Sequence, residues 1–182
     1  MTRKDPASPV EPNTKVKGAG HERGKPGALY TADERKRRDE SVWTIVQGVL
    51  APVQFLVFLV SLGLVLRTLS TGEGAWAADA SVVVKTGVLY TIMITGSIWE
   101  KVVFGKWLFA PAFFWEDVFS MLVLALHSLY LVMLFGGFGS TEQRLLVALA
   151  GYAAYVINAG QFLWKLRMAR LEGALAPQAV TA

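Results

Sequence analysis

Long apolar runs separated by short polar breaks dominate the chain from residue 43 onward. Four of them, over about 43–66, 81–104, 112–135 and 143–164, each reach the ~20 apolar residues that a helix needs to cross a bilayer core. The breaks carry turn and helix-stop chemistry. Gly72, Glu73, Gly74 and Asp79 make the first, and residues 105–111 form a tight connector. Pro111 suits the first turn of the third span, and Gly136-Gly137-Phe138-Gly139-Ser140-Thr141 ends it. Pro52 is expected to kink the first span. Ahead of the spans, Thr31 followed by Glu34 is a capping-box pattern, and it predicts a short polar helix through Arg38 at the membrane surface. The predicted fold is all-α: a polytopic four-helix transmembrane bundle over residues 29–170, followed by a short tail over 171–182.

Residues 1–28 are rich in Pro, Gly, Lys and small polar residues, which predicts a disordered tail. The first apolar run begins at Trp43, too late for a signal peptide, and it is long enough to span.

Composition agrees with the pattern. With 53% hydrophobic and 18% charged residues, the chain holds more apolar surface than one small soluble core could hide, so the surplus faces lipid. The net charge of +4 does not read as a nucleic-acid footprint, because the basic residues flank the spans. Arg35, Lys36, Arg37, Arg38, Lys101, Lys106, Lys165, Arg167 and Arg170 fall on one side, against Arg67, Lys85 and Arg144 on the other. The positive-inside rule then puts both termini in the cytoplasm. Lys85, near the outer end of its span, is expected to snorkel. Trp43, Trp99, Trp107, Trp115 and Trp164 gather at the basic boundary as an aromatic belt. With no cysteine, disulfides, thiolate metal sites and cysteine nucleophiles are excluded. Phosphate-loop, paired-histidine zinc, nucleophile-elbow and dinucleotide motifs do not occur.

Ionisable groups inside a span are costly, so each is a candidate functional residue. Glu100 near the end of the second span and Glu116 and Asp117 early in the third meet at the basic end through the short connector. Gln47 and Gln54, seven apart, share a face of the first span, and Asn158 and Gln161 share a face of the fourth. Three carboxyls and four amides at one depth suggest a polar pocket. Taken singly, each has a bland reading as well. Acidic residues suit a helix N-terminus, Glu100 has Lys101, Lys106 or Arg167 as ion-pair partners, and intramembrane amides often join helices. Gly96, Ser97, Gly151 and Gly160 read as close helix packing. His127 follows Glu116 by eleven residues, on nearly the same helical face about 16 Å deeper. It suits a metal or metallopigment, or equally a hydrogen bond to a neighbouring helix.

Several runs carry a resemblance. Leu29-Tyr30-Thr31, the stretch from Trp43-Thr44-Ile45-Val46-Gln47-Gly48 to Pro52, and Trp99-Glu100-Lys101-Val102-Val103-Phe104-Gly105 resemble the 3-vinyl bacteriochlorophyllide hydratase family, 2-vinyl in the older ring numbering. Phe109-Ala110-Pro111-Ala112-Phe113-Phe114-Trp115-Glu116-Asp117 and Tyr155-Val156-Ile157-Asn158-Ala159-Gly160-Gln161-Phe162-Leu163-Trp164-Lys165 do so too. The resemblance extends over nearly all of residues 29–170. It implies an enzyme of bacteriochlorophyll biosynthesis in a bacterial inner or intracytoplasmic photosynthetic membrane. Such an enzyme adds water to the 3-vinyl group of a chlorophyllide-type Mg-tetrapyrrole, giving a 3-(1-hydroxyethyl) group. It implies no cofactor, with the lipid bilayer and neighbouring pathway enzymes as partners.

Hydration needs a proton donor, a base and a water. Under the resemblance, Glu116 is the expected acid, and Asp117 or Glu100 the water-activating base. Gln47, Gln54, Asn158 and Gln161 would orient water or ring substituents, and His127 would be an axial ligand to the pigment's Mg. A carboxyl kept protonated by burial and by a second carboxyl beside it suits the acid role. Two other classes fit parts of the pattern: a non-catalytic pigment carrier or scaffold using His127, and a small transporter. Four helices without repeat symmetry give the transporter little support.

Overall fold

The computed structural model describes residues 29–175; the tail expected over 1–28 and the last residues of the expected C-terminal tail, 176–182, lie outside the described residues. The described chain is five helices, with no strand among those residues: α1 (Ala32–Glu40), α2 (Val42–Thr71), α3 (Ala75–Phe104), α4 (Phe114–Gly136) and α5 (Thr141–Leu175). The last four are each long and apolar enough to cross a membrane. At 1.5 Å per residue the 30 residues of α2 and of α3 extend about 45 Å, more than the hydrocarbon core alone requires.

Helix α1 starts where the capping box predicts. The Thr31 side chain accepts from the Glu34 N–H, and the Glu34 carboxylate accepts from the Thr31 N–H at 2.8 Å. Helix α2 runs through Pro52 to Thr71. Two boundaries differ from the sequence reading for identifiable reasons. Asp79, read as part of a turn, lies inside α3, where it accepts from the Tyr130 hydroxyl at 2.5 Å and from Arg144 at 3.4 Å. These partners on α4 and α5 let a carboxylate sit in the helix. Pro111 precedes α4 rather than opening it, because residues 110–113 make a turn in which the Phe113 N–H donates to the Ala110 carbonyl, and the helix begins at Phe114. Helix α5 continues to Leu175, beyond the expected end of the span at 164.

The helices pack as two antiparallel hairpins. Helix α2 lies along α3 and α4 along α5, while contacts between the two hairpins are sparse. The main apolar core, including Phe58, Val65, Val82, Tyr130, Leu145 and Tyr152, fills the half of the bundle near the α2–α3 and α4–α5 turns. A second, aromatic core of Tyr30, Val103 and Phe113 with Trp99, Phe104 and Phe162 closes the opposite end. Trp99 therefore belongs to the interior, donating to the Thr44 hydroxyl at 2.9 Å, whereas Trp107, Trp115 and Trp164 are exposed as a belt requires. Burial raises the Tyr30 phenol above its ordinary pKa, with the Arg38 guanidinium, 4.7 Å from its ring, opposing the shift.

Candidate functional site

The α3–α4 connector fixes the site. Gly105 ends α3 with φ 77°, a left-handed conformation that suits glycine, and the chain returns through residues 106–113. Phe109 is left-handed too, at φ 57°, which costs a non-glycine residue on the order of 1–3 kcal/mol. Its N–H donates to the Asp117 carboxylate at 2.7 Å, and the next N–H, of Ala110, donates to Glu100 at 3.2 Å. The two carboxyl groups thus sit over consecutive N–H groups of the connector. Both side chains are buried. Glu100 belongs to the first hairpin and Asp117 to the second, so the pair bridges the seam.

Glu116, also buried, faces α5. Lys165 donates to it at 2.6 Å and to the Ala112 carbonyl as well, with its ammonium 5.0 Å from the Phe113 ring centroid. The charge pattern marks Lys165 as a topogenic residue and does not place it in the site. Its spacing was a usable signal: it follows Asn158 by seven and Gln161 by four, on one helical face. Ser120, one turn after Glu116, is a second residue the sequence reading omitted, and it accepts from Asn158 at 2.8 Å. The cationic partners expected for Glu100 do not serve it: Lys101 donates instead to the Gly105 carbonyl at 2.9 Å.

The remaining candidates occupy other levels. Gln47 donates to the Thr95 hydroxyl at 2.7 Å, against the close approach of Gly96. Gln54, two turns further along α2, is buried, and neither its amide nitrogen nor its oxygen finds a partner. Gln161 and Asn158 each keep an unpartnered buried oxygen. His127 is buried about 16 Å from Glu116 along α4. Its Nδ1 lies 2.8 Å from the Val123 carbonyl, so Nδ1 carries the proton and Nε2 presents a lone pair that no group among the described residues meets. Gly151 makes room for the ring, since a Cβ there would come within 2.8 Å of it. Gly160 has open space around it and does not serve packing in this way. Lys85 does not snorkel. It is fully buried, with Nζ 4.5 Å from the Tyr155 ring centroid and 5.3 Å from that of Tyr152. Among the described residues no three His, Asp or Glu side chains gather as metal ligands.

Residues 30–168, nearly all of the described chain, match the family model for 2-vinyl bacteriochlorophyllide hydratase. The chain belongs to the 2-vinyl bacteriochlorophyllide hydratase family. It is 67% identical over 144 residues to the 2-vinyl bacteriochlorophyllide hydratase of Cereibacter sphaeroides, covering 79% of this chain and 89% of that protein. It is 65% identical over 147 residues to the protein of the same name in Rhodobacter capsulatus, covering 81% and 85%. No solved structure matches. The hydratase family match includes all eight of Gln47, Gln54, Glu100, Glu116, Asp117, His127, Asn158 and Gln161, together with Lys85 and Lys165.

Proposed function

We propose that this hydratase adds water across the vinyl group of a bacteriochlorophyllide-type pigment in bacteriochlorophyll biosynthesis, and that the Glu100–Asp117 pair is its proton donor. Family membership supplies the reaction, and the observation that carries the assignment of residues is that two buried carboxyls, one from each hairpin, hold consecutive backbone N–H groups of the connector. Two neighbouring carboxyl groups hold a proton between them more readily than two charges. Proton transfer to the terminal vinyl carbon leaves a cation at the inner carbon, conjugated with the macrocycle. Water attacks that carbon, and its surplus proton passes to a carboxylate, so that atoms and charge balance over the cycle.

Glu116 was the acid expected from sequence. Glu116 is instead ion-paired with the Lys165 ammonium at 2.6 Å, so we assign it the base role and leave the acid to the pair. Asn158 and Gln161, on the α5 face that also carries Lys165, orient the attacking water or a ring substituent, as Gln47 and Gln54 do from α2. His127 Nε2 is the axial ligand to the pigment's magnesium. The excess of Lys and Arg at the carboxyl end supports a cytoplasmic orientation for that end and for both termini. This reading puts the protein in the inner or intracytoplasmic photosynthetic membrane, beside the enzymes that supply and consume the pigment. The test is expression in a host lacking the pathway, supplied with the vinyl pigment. The expected product is heavier by one water, and its absence from folded protein refutes the reading.

A further inference from the structure

Deep in the bundle, three side chains end in polar atoms that find no hydrogen-bond partner among the described residues: Gln54 on α2, Lys85 on α3 and His127 on α4. Their exposures are 1%, 0% and 1%, and they come from both hairpins. Unpaired polar atoms in a membrane interior are costly, and an ammonium is the costliest. Lys85 is the one buried Lys or Arg among the described residues. Its neighbours are the faces of Tyr152 and Tyr155, which attract a cation without neutralising it. Elsewhere in the bundle the chain provides the counter-ion, as Asp79 does for Arg144 and Glu116 for Lys165. At Lys85 none is found among the described residues.

We propose that Lys85 is the site for the pigment's free side-chain carboxylate and makes the protein selective for the acid over its esters. The inference rests on the hydratase reading and adds to it a determinant of substrate class. The complementarity has several points. The sparse contact between hairpins suits a planar apolar ligand, the rings of Phe58, Tyr152 and Tyr155 suit its faces, and His127 Nε2 suits its Lewis-acidic metal. A lone buried cation then suits the one strongly anionic group such a pigment carries. Lys85 also sets the register. It precedes Glu100 by fifteen residues on α3, about 22 Å between backbones, a span that the two side chains shorten. A pigment whose carboxylate is held at Lys85 therefore turns another edge toward the carboxyl pair. Its vinyl group, on a different ring of the macrocycle from the carboxylate side chain, is the group to be presented there.

The experiment compares the vinyl pigment as free acid and as methyl ester, each titrated by absorbance against the full chain in lipid nanodiscs and then assayed for hydration. The wild type is expected to bind the acid at least tenfold more tightly than the ester. Lys85→Met is expected to raise the Kd of the acid to that of the ester. Lys85→Gln, close in length and polarity, guards against misfolding and should collapse the ratio as well. Equal affinity of the wild type for acid and ester overturns the proposal, as does a preference that survives both substitutions. Binding is read whether or not water is added. An acid preference that both substitutions abolish, in a protein that forms no hydrated product, upholds Lys85 and refutes the hydratase reading; a protein that binds acid and ester equally and hydrates both does the reverse.

Discussion

The carboxyl end of the bundle and its middle are both polar, yet they differ in how their polar atoms are used. At the α3–α4 connector, Asp117 and Glu100 hold consecutive backbone N–H groups, while Glu116 holds Lys165. In the middle, Gln54, Lys85 and His127 carry polar atoms with no hydrogen-bond partner among the described residues. A partnered network fixes distances, which a proton-transfer site requires. An unpartnered cluster stores unsatisfied interactions, which a ligand can complete. On the proposed reading, the difference separates reaction from recognition within one small bundle.

Breaking the partnered end should have the largest effect. Glu100→Gln and Asp117→Asn are each expected to lower the rate of hydration by about 10²–10⁴-fold while pigment still binds, measured as product heavier by one water over time. Normal turnover in both would remove the pair from the chemistry. Lys165→Met strands the Glu116 carboxylate. Because Lys165 is partly exposed, the loss should be on the order of 2 kcal/mol rather than the full value for a buried pair, read from unfolding in detergent. The double variant with Glu116→Gln should recover part of it, and strictly additive losses would show that the pair is not coupled.

The middle should respond through binding. His127→Ala is expected to weaken the magnesium pigment about tenfold, a loss of some 1.4 kcal/mol, and to leave the metal-free pigment unaffected. An equal loss for both would end the axial-ligand role. The smallest effect sharpens the comparison most. Gln54→Leu removes an unpaired buried amide, so the pigment-free protein should gain about 1 kcal/mol in unfolding free energy while its pigment affinity falls. A destabilised Gln54→Leu would mean that the amide is already partnered.

The sequence alone made the four spans legible, because apolar length is a strong signal, and it marked the carboxyl end through the closeness of Glu100, Glu116 and Asp117. It gave no hint of which partner each would take. Asp79 looked like a loop residue because its neutralising partners, Tyr130 and Arg144, are 51 and 65 residues away. Lys85 looked like a snorkelling residue because helical spacing does not reveal which face a neighbouring helix will cover. The amides, expected at one depth with the carboxyls, spread over several levels because Gln47 and Gln54 are separated by two turns.

The connector between α3 and α4 is the only covalent link between the hairpins, and it carries the strained Phe109 and the two N–H groups held by one carboxyl from each side. In mechanical terms it is a hinge with a clasp fastened across it. A flat body wedged between the hairpins, as the proposed reading has it, would bear on that clasp, so that displacing the hinge and altering the spacing of the two carboxyls would be one movement.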